Sequence, residues 1–501
     1  MEIAKTLHFS FSFLLLLLLL LLLPPPLLFV VDARSSSFGV VNGDNYDKVL
    51  LQLFQKFPWK QQAEAAVNCI FQKPKITKGI TTLEMKQRDY CSGKVTDWEK
   101  NLQNRIILDA IHVNSLLSQF KSAIFPGKTH QLSDSQIPIS SGTRLQTLNY
   151  IVTVGIGGRN STLIVDTGSD LTWIQCRPCR LCYNQQEPIF DPSTSSSFLS
   201  LSCNSPTCLA LQPAAGSSGL CSNRNSTSCD YQIDYGDGSY SRGDLGFERL
   251  NLGKIAIENF IFGCGRNNKG LFGGASGLIG LARSELSLVS QTSSVFGGIF
   301  SYCLPTTEVG ASGSLTMGGT DFSNFKNISP ISYTRMVQNP QMSNFYFLNL
   351  TGISIGGVNL NVPRLASNEG VLSLIDSGTV ITRLAPSIYK AFKVEFEKQF
   401  SGYQTTPGFS ILNTCFNLTG YEEVNIPTVK FYFEGNAEMT VDVEGIFYFV
   451  KSDASQICLA FASLAYEDQT VIIGNYQQKN QRVIYNSKES KVGFAGEPCS
   501  F

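Results

Sequence analysis

Two stretches decide the fold: Ser161-Thr162-Leu163-Ile164-Val165-Asp166-Thr167-Gly168-Ser169, and Val371-Leu372-Ser373-Leu374-Ile375-Asp376-Ser377-Gly378-Thr379. Each is a short apolar run of strand character that stops at Asp, a hydroxyl residue and Gly, which favour a tight turn. One such tetrapeptide is an ordinary turn. Two of them, each delivered by an apolar strand, make an internal repeat. The repeat extends outward. Tyr150 to Val154 alternates, turns over Gly155 to Gly158, and returns as the strand ending at Asp166, which spells a β-hairpin. Tyr346 to Ile355, followed by Gly356-Gly357, stands in the same relation to Asp376. Leu278-Ile279-Gly280 follows the first unit and Ile472-Ile473-Gly474 the second. A glycine there lets a neighbouring chain pass close to the Asp turn. The glycines of 155–158 do not fit a dinucleotide-binding loop, because no helical pattern follows them.

The rest of the chain sets the frame. With 501 residues it is too long for one small core. Abundant Gly, short alternating runs and few helical periodicities favour an all-β protein. Net charge is zero, so no basic surplus exists to hold a nucleic-acid backbone. Residues 34–143 carry 14 basic and 9 acidic side chains, and residues 144–501 carry 24 and 28. A basic front segment thus precedes an acidic body. Lys5, the leucine run Leu14 to Leu23 and Val31-Asp32-Ala33 read as a cleaved signal peptide over 1–33. Pro24-Pro25-Pro26 interrupts the run and argues against a retained membrane anchor. Trp98, Leu102, Ile106, Leu116, Leu117 and Phe120 sit at helical spacing and predict one amphipathic helix in the front segment. The polar loop around Pro126 to Gly142 is a natural processing site.

The histidines exclude several chemistries. His8, His112 and His130 all precede the repeat, so a body cut free of its front segment has none. That removes a Ser-His-Asp triad, a Cys-His pair and a His-containing zinc site. Two further stretches carry chemistry: Tyr235-Gly236-Asp237-Gly238-Ser239, a Gly-rich hairpin turn, and Trp173, seven residues after Asp166. With both Asp turns and both apolar-apolar-Gly runs in register, the chain resembles the pepsin-like aspartic proteases, and more narrowly their plant nepenthesin-type members.

The resemblance implies an all-β, bilobal acid-protease fold: two pseudo-symmetric β lobes with an active-site cleft between them. It implies a signal peptide over 1–33, a pro-segment over 34–142, an N-terminal lobe over 143–340 and a C-terminal lobe over 341–501. Asp166 and Asp376 would be the catalytic pair. Thr167 and Ser377 would cross-link the two turns around Gly168 and Gly378, and Ser169 and Thr379 would bond the outer carboxylate oxygens. Tyr235, Gly236 and Asp237 would belong to a flap that closes over substrate, with the Trp173 indole reaching Tyr235. Two carboxylates held together share one proton, so one can activate water while the other polarises the scissile carbonyl. No cofactor and no metal is required. The implied partner is an extended peptide, met by a monomer with no nucleic acid and no membrane once the leader is gone. In related zymogens a basic side chain of the pro-segment pairs with the dyad, and Lys121 and Lys128 are the candidates here. Processing is expected between about Gly127 and Asn149.

A secretory route favours disulfides for Cys176, Cys179, Cys182, Cys203, Cys208, Cys221, Cys229, Cys264, Cys303, Cys415, Cys458 and Cys499, with Cys69 and Cys91 in the front segment. The Cys176-x2-Cys179-x2-Cys182 spacing invites a metal cluster, but no fourth ligand follows closely. By resemblance, 176–229 is a disulfide-bonded insert before the flap. Cys415 and Cys458 are expected to pair. Asn160, Asn225, Asn349 and Asn417 start glycosylation patterns. Secretion to the cell exterior is the default, while related plant proteases also reach vacuoles or plastids. The rival to an enzyme is a catalytically silent binding or inhibitor protein on the same scaffold, which intact Asp turns argue against.

Overall fold

The computed structural model describes residues 41–42, 45–50, 70–77, 79–88, 98–124, 150–211, 218–221, 227–235, 239–270, 272–306, 312–319, 328–340, 342–363, 365, 370–499 and 501. The expected leader, Cys69, Cys91, the processing loop, Gly236, Asp237 and Asn225 lie outside them. Among the described residues no helix is long and apolar enough to cross a membrane.

The chain folds as two mostly-β lobes. In the first half, Tyr150–Ile156 and Arg159–Asp166 form the antiparallel hairpin, with Ile151 opposite Ile164 and Gly155 opposite Asn160. Arg159–Asp166 then runs parallel to Gly277–Gly280, which sets Gly280 opposite Asp166. That crossing explains the glycine: a Cβ at Gly280 would lie 2.1 Å from the Asp170 carbonyl oxygen, an approach only a residue without a side chain allows. The second half repeats the arrangement. Phe347–Ile355 pairs antiparallel with Val371–Ile375, and that strand runs parallel to Val471–Ile473, with Ile375 opposite Ile473. The strands that lead into the Asp turns are buried almost without interruption, because side chains alternate between two faces and both faces are packed.

The largest sheet among the described residues has 16 strands. The late strands Gln481–Asn486 and Lys491–Gly496 enter it through Ile299–Cys303, so the end of the chain is bonded into the first half. The front segment is woven in too. Ile80–Gln87 sits between Gly313–Met317 and Tyr150–Ile156, with Leu83 and Met85 buried. Tyr46–Leu50 pairs with Glu423–Pro427 of the second half.

The predicted amphipathic helix runs Trp98–Ile124. Its apolar stripe is buried in two places. Leu102 and Ile106 join Val380, Ile381, Phe409, Leu412 and Tyr476, while Val113, Leu116, Leu117 and Phe120 join Met342, Phe345, Phe347 and Ile472. Burying each such side chain stabilises by about 1.5–3 kcal/mol, so the helix is anchored by an apolar face rather than by one polar contact.

Six disulfides close the described body: Cys176–Cys264, Cys179–Cys182, Cys203–Cys221, Cys208–Cys229, Cys303–Cys499 and Cys415–Cys458. The 176–229 stretch is therefore not closed on itself, because Cys176 is bonded outside it to Cys264 on the strand Ile255–Lys269. Cys415 and Cys458 face each other across neighbouring strands. Asn160 is exposed, whereas the Asn349 amide donates to Glu434 at 3.0 Å and Asn417 accepts the Thr419 N–H at 2.9 Å.

Candidate active site

Both Asp turns meet where the two halves touch. The Thr167 N–H donates to Ser377 Oγ at 3.1 Å and the Ser377 N–H donates to Thr167 Oγ1 at 2.9 Å, a reciprocal pair that locks the turns together. Each carboxylate is then fixed by its own turn: Gly168 N–H to Asp166 Oδ1 and Gly378 N–H to Asp376 Oδ1, both at 2.9 Å. The two Oδ1 atoms converge. A Cβ on Gly168 would stand 3.0 Å from Asp376 Oδ1 and 3.2 Å from Asp166 Oδ1.

The outer oxygens differ. Asp376 Oδ2 accepts the Thr379 N–H at 3.0 Å and the Thr379 hydroxyl at 2.7 Å. The buried Ser169 hydroxyl lies near enough to Asp166 to lower its pKa, yet makes no bond of hydrogen-bonding geometry. Behind the turns, the Asn475 side chain donates to the Ser377 carbonyl at 2.9 Å, and Asn344 and the Ser284 N–H hold the buried Asp170. Trp173 is fully buried, and its indole N–H donates to the Tyr235 hydroxyl at 2.7 Å. Tyr235 N–H to the Ser239 carbonyl closes the base of that hairpin at 2.8 Å.

One described side chain of the front segment approaches the pair, and it is a histidine. Lys128 and the Lys121 side chain lie outside the described residues. His112 Nε2 stands 3.4 Å from Asp376 Oδ2. One turn earlier on the same helix, the buried Asp109 carboxylate accepts the Val380 N–H at 2.6 Å, the Ile381 N–H at 3.2 Å and Arg383 Nη2 at 2.7 Å. Sequence reasoning missed Asp109, His112 and Arg383. The available signal was a polar pair at i, i+3 interrupting the apolar stripe between Ile106 and Val113.

These contacts split the electrostatics of the pair. Burial, then the charge of Asp376, push Asp166 up to about 6, against the lowering effect of His112. Burial acts on Asp376 too, but the hydrogen bond and charge of His112, with those from Thr379 and Gly378, outweigh it and hold its pKa below the usual range. Burial would lower His112, and Asp376, Asp166 and Asp109 overcome it and raise it to about 9. With His112 in place the shifts run in opposite directions, up for Asp166 and His112 and down for Asp376, which favours negative charge on Asp376 opposite the imidazole. Among the described residues no cluster of His, Cys, Asp or Glu could hold a metal ion.

Comparison with known proteins agrees along the whole body. The family profile described as xylanase inhibitor N-terminal matches residues 150–319, and the one described as xylanase inhibitor C-terminal matches 345–496. An aspartyl protease family protein of Arabidopsis thaliana is 44% identical over 78% of this chain and 81% of its own length. The chain belongs to the pepsin-like aspartic protease family, in its plant nepenthesin-like group. The aspartic proteinase nepenthesin-1 of Nepenthes gracilis is 37% identical, covering 70% of this chain and 78% of that protein. Basic 7S globulin from soybean shares the fold, with a TM-score of 0.55 over 71% of this chain and 95% of that one at 18% identity. Asp166 lies inside the first matched region and Asp376 inside the second.

Proposed function

We propose that this chain is a secreted aspartic endopeptidase made as a zymogen, with Asp166 and Asp376 as its catalytic pair. What carries this reading is the interlocked geometry of the two turns, which aims both carboxylates at one point beside a Trp173–Tyr235 pair. With the helix gone, like charges this close cannot both ionise cheaply, so the pair shares one proton and titrates as a unit. The ionised member takes a proton from a bound water, the water attacks the peptide carbonyl, and the protonated member stabilises the developing oxyanion. Proton return to the leaving nitrogen completes the cut. Thr167, Ser377 and the turn N–H groups hold the carboxylates still through these transfers, and the Tyr235 hairpin covers the substrate.

The zymogen part rests on the helix Trp98–Ile124, which sets His112 on Asp376 and covers the cleft side of the C-terminal lobe. Processing beyond Ile124 would let it leave. The measurement that tests the function is stoichiometric binding of a statine peptide such as pepstatin to the acid-processed protein. One equivalent bound in acid, lost in Asp166→Asn and in Asp376→Asn, is the expected result. A folded, processed protein that binds none refutes the reading.

The description of the matched profiles supports a second reading, a silent inhibitor on this scaffold. The complete hydrogen bonding of Asp376 and the intact Gly168 and Gly378 turns weigh against it.

A further inference from the structure

Arg383 is a buried cation with one carboxylate to satisfy it. Its Nη2 donates to Asp109 Oδ2 at 2.7 Å, its Nη1 donates to the Ile381 carbonyl at 3.1 Å, and its side chain is 5% exposed. The other two donors to Asp109 are backbone N–H groups, of Val380 and Ile381, on the chain that leads straight out of the Asp376 turn. Among the described residues no second acid stands within ion-pair distance of Arg383. Burial already lowers the pKa of this guanidinium, and Asp109 is what offsets that cost.

Asp109 belongs to the helix that, on the function proposed above, departs when the zymogen is processed. Its departure opens the site and leaves the guanidinium and two convergent N–H donors without their carboxylate, so that a ligand anion can replace it. Three donors in this array fit a carboxylate well: two from the backbone and one from a planar fork. The backbone donors are held by hydrogen bonds that do not involve the helix, since the Asn475 and Tyr476 N–H groups bond to the Thr379 and Val380 carbonyls. The array therefore persists without Asp109.

We infer that Arg383, with the Val380 and Ile381 N–H groups, is a subsite for an acidic side chain of the peptide substrate, occupied in the precursor by Asp109. The inference rests on the endopeptidase reading and names a preference within it. Its position along the substrate follows from the helix. Asp109 precedes His112 by three residues, about 4.5 Å of helix axis, and His112 touches the dyad. An extended peptide advances about 3.3 Å per residue, so the acidic residue falls within two positions of the cut bond.

The test is a peptide series cut by the acid-processed protein at pH 5, where substrate carboxyls are ionised. The scissile pair stays fixed, and Asp, Glu, Asn and Gln are placed in turn at each of the two positions on either side. The expected result is one position at which Asp or Glu raises kcat/KM about tenfold or more over its amide, the scale of one charge-assisted bond set. In Arg383→Gln that ratio collapses to about one, and in Arg383→Lys it is partly kept. Because the ratio is taken within each protein, a general loss of activity cancels. Ratios near one at every position in the unaltered protein overturn the inference, even if neither variant folds, and so does a ratio that survives both substitutions. If no peptide of the series is cut at all, the endopeptidase reading itself has failed.

Discussion

His112 and Thr379 share one acceptor, the outer oxygen of Asp376. Nε2 lies 3.4 Å from Oδ2, and the Thr379 hydroxyl lies 2.7 Å from it. The imidazole therefore occupies the carboxylate that the proposed mechanism requires to be open to water. A hydrogen bond to a charged group contributes about 1.5–3 kcal/mol, whereas the apolar face of the helix contributes several times that. His112→Ala should thus loosen the helix without releasing it. The expected outcome is conversion of the precursor at pH 4 about tenfold faster, followed by gel and N-terminal sequencing, with no activity before the first cut. Unchanged conversion would contradict a role for His112.

The pH dependence of that hold has a definite sign. The His112 pKa is raised to about 9, so its contribution is complete below the ordinary value of 6.5 and is lost as pH rises through about 9. The Asp376 pKa is lowered, so its contribution is complete above the ordinary value of 3.8 and is lost as pH falls below it. Helix docking should be tightest from about pH 4 to 6.5 and weaken on both sides. Amide exchange of 98–124, corrected for intrinsic rate and measured in Asp166→Asn to prevent self-cleavage, should show a protection maximum in that window. Protection that rises steadily into strong acid would contradict it.

Tyr235 is the residue through which the hairpin leans on the lobe beneath. Tyr235→Phe removes the acceptor of the buried Trp173 indole N–H and costs about 1–3 kcal/mol in stability. It should also lower kcat/KM on peptides about tenfold, because the hairpin over the site loses its one polar tether among the described residues at that point. Thermal melts and steady-state kinetics on the same preparation separate the two effects.

The disulfides should differ in worth according to the chain they close. Cys303–Cys499 spans 196 residues and fastens the end of the chain to the strand Ile299–Cys303, while Cys179–Cys182 spans three. Loop-closure entropy gives about 5 kcal/mol for the first and about 2 kcal/mol for the second. Denaturant midpoints of the two double-Ser variants should fall in that order.

Much of the architecture is legible without coordinates, because period-2 runs that end in Asp turns specify both strand and turn. The front helix is legible for the same reason, from the spacing of Leu102, Ile106 and Phe120. Ile80–Gln87 is not. It is buried with Glu84 and Gln87 inside the sheet, so its polar residues hide its strand character. Nor is the occupant of the dyad legible. Reach is set by which face of the helix meets the turn, and among the described side chains that face presents His112 to an acid 264 residues away. Disulfide partners stay open for a similar reason: pairing is fixed by which strands become neighbours, as at Cys176 and Cys264.

The most direct measurement is hydrolysis of denatured globin between pH 3 and 6 by the acid-processed protein, beside Asp166→Asn and Asp376→Asn carried through the same processing with an added protease. The account predicts cleavage that is highest in acid and falls at least about a hundredfold in each variant. Processed, folded protein that leaves globin intact across that range, or variants that cut as well as the parent, would contradict it.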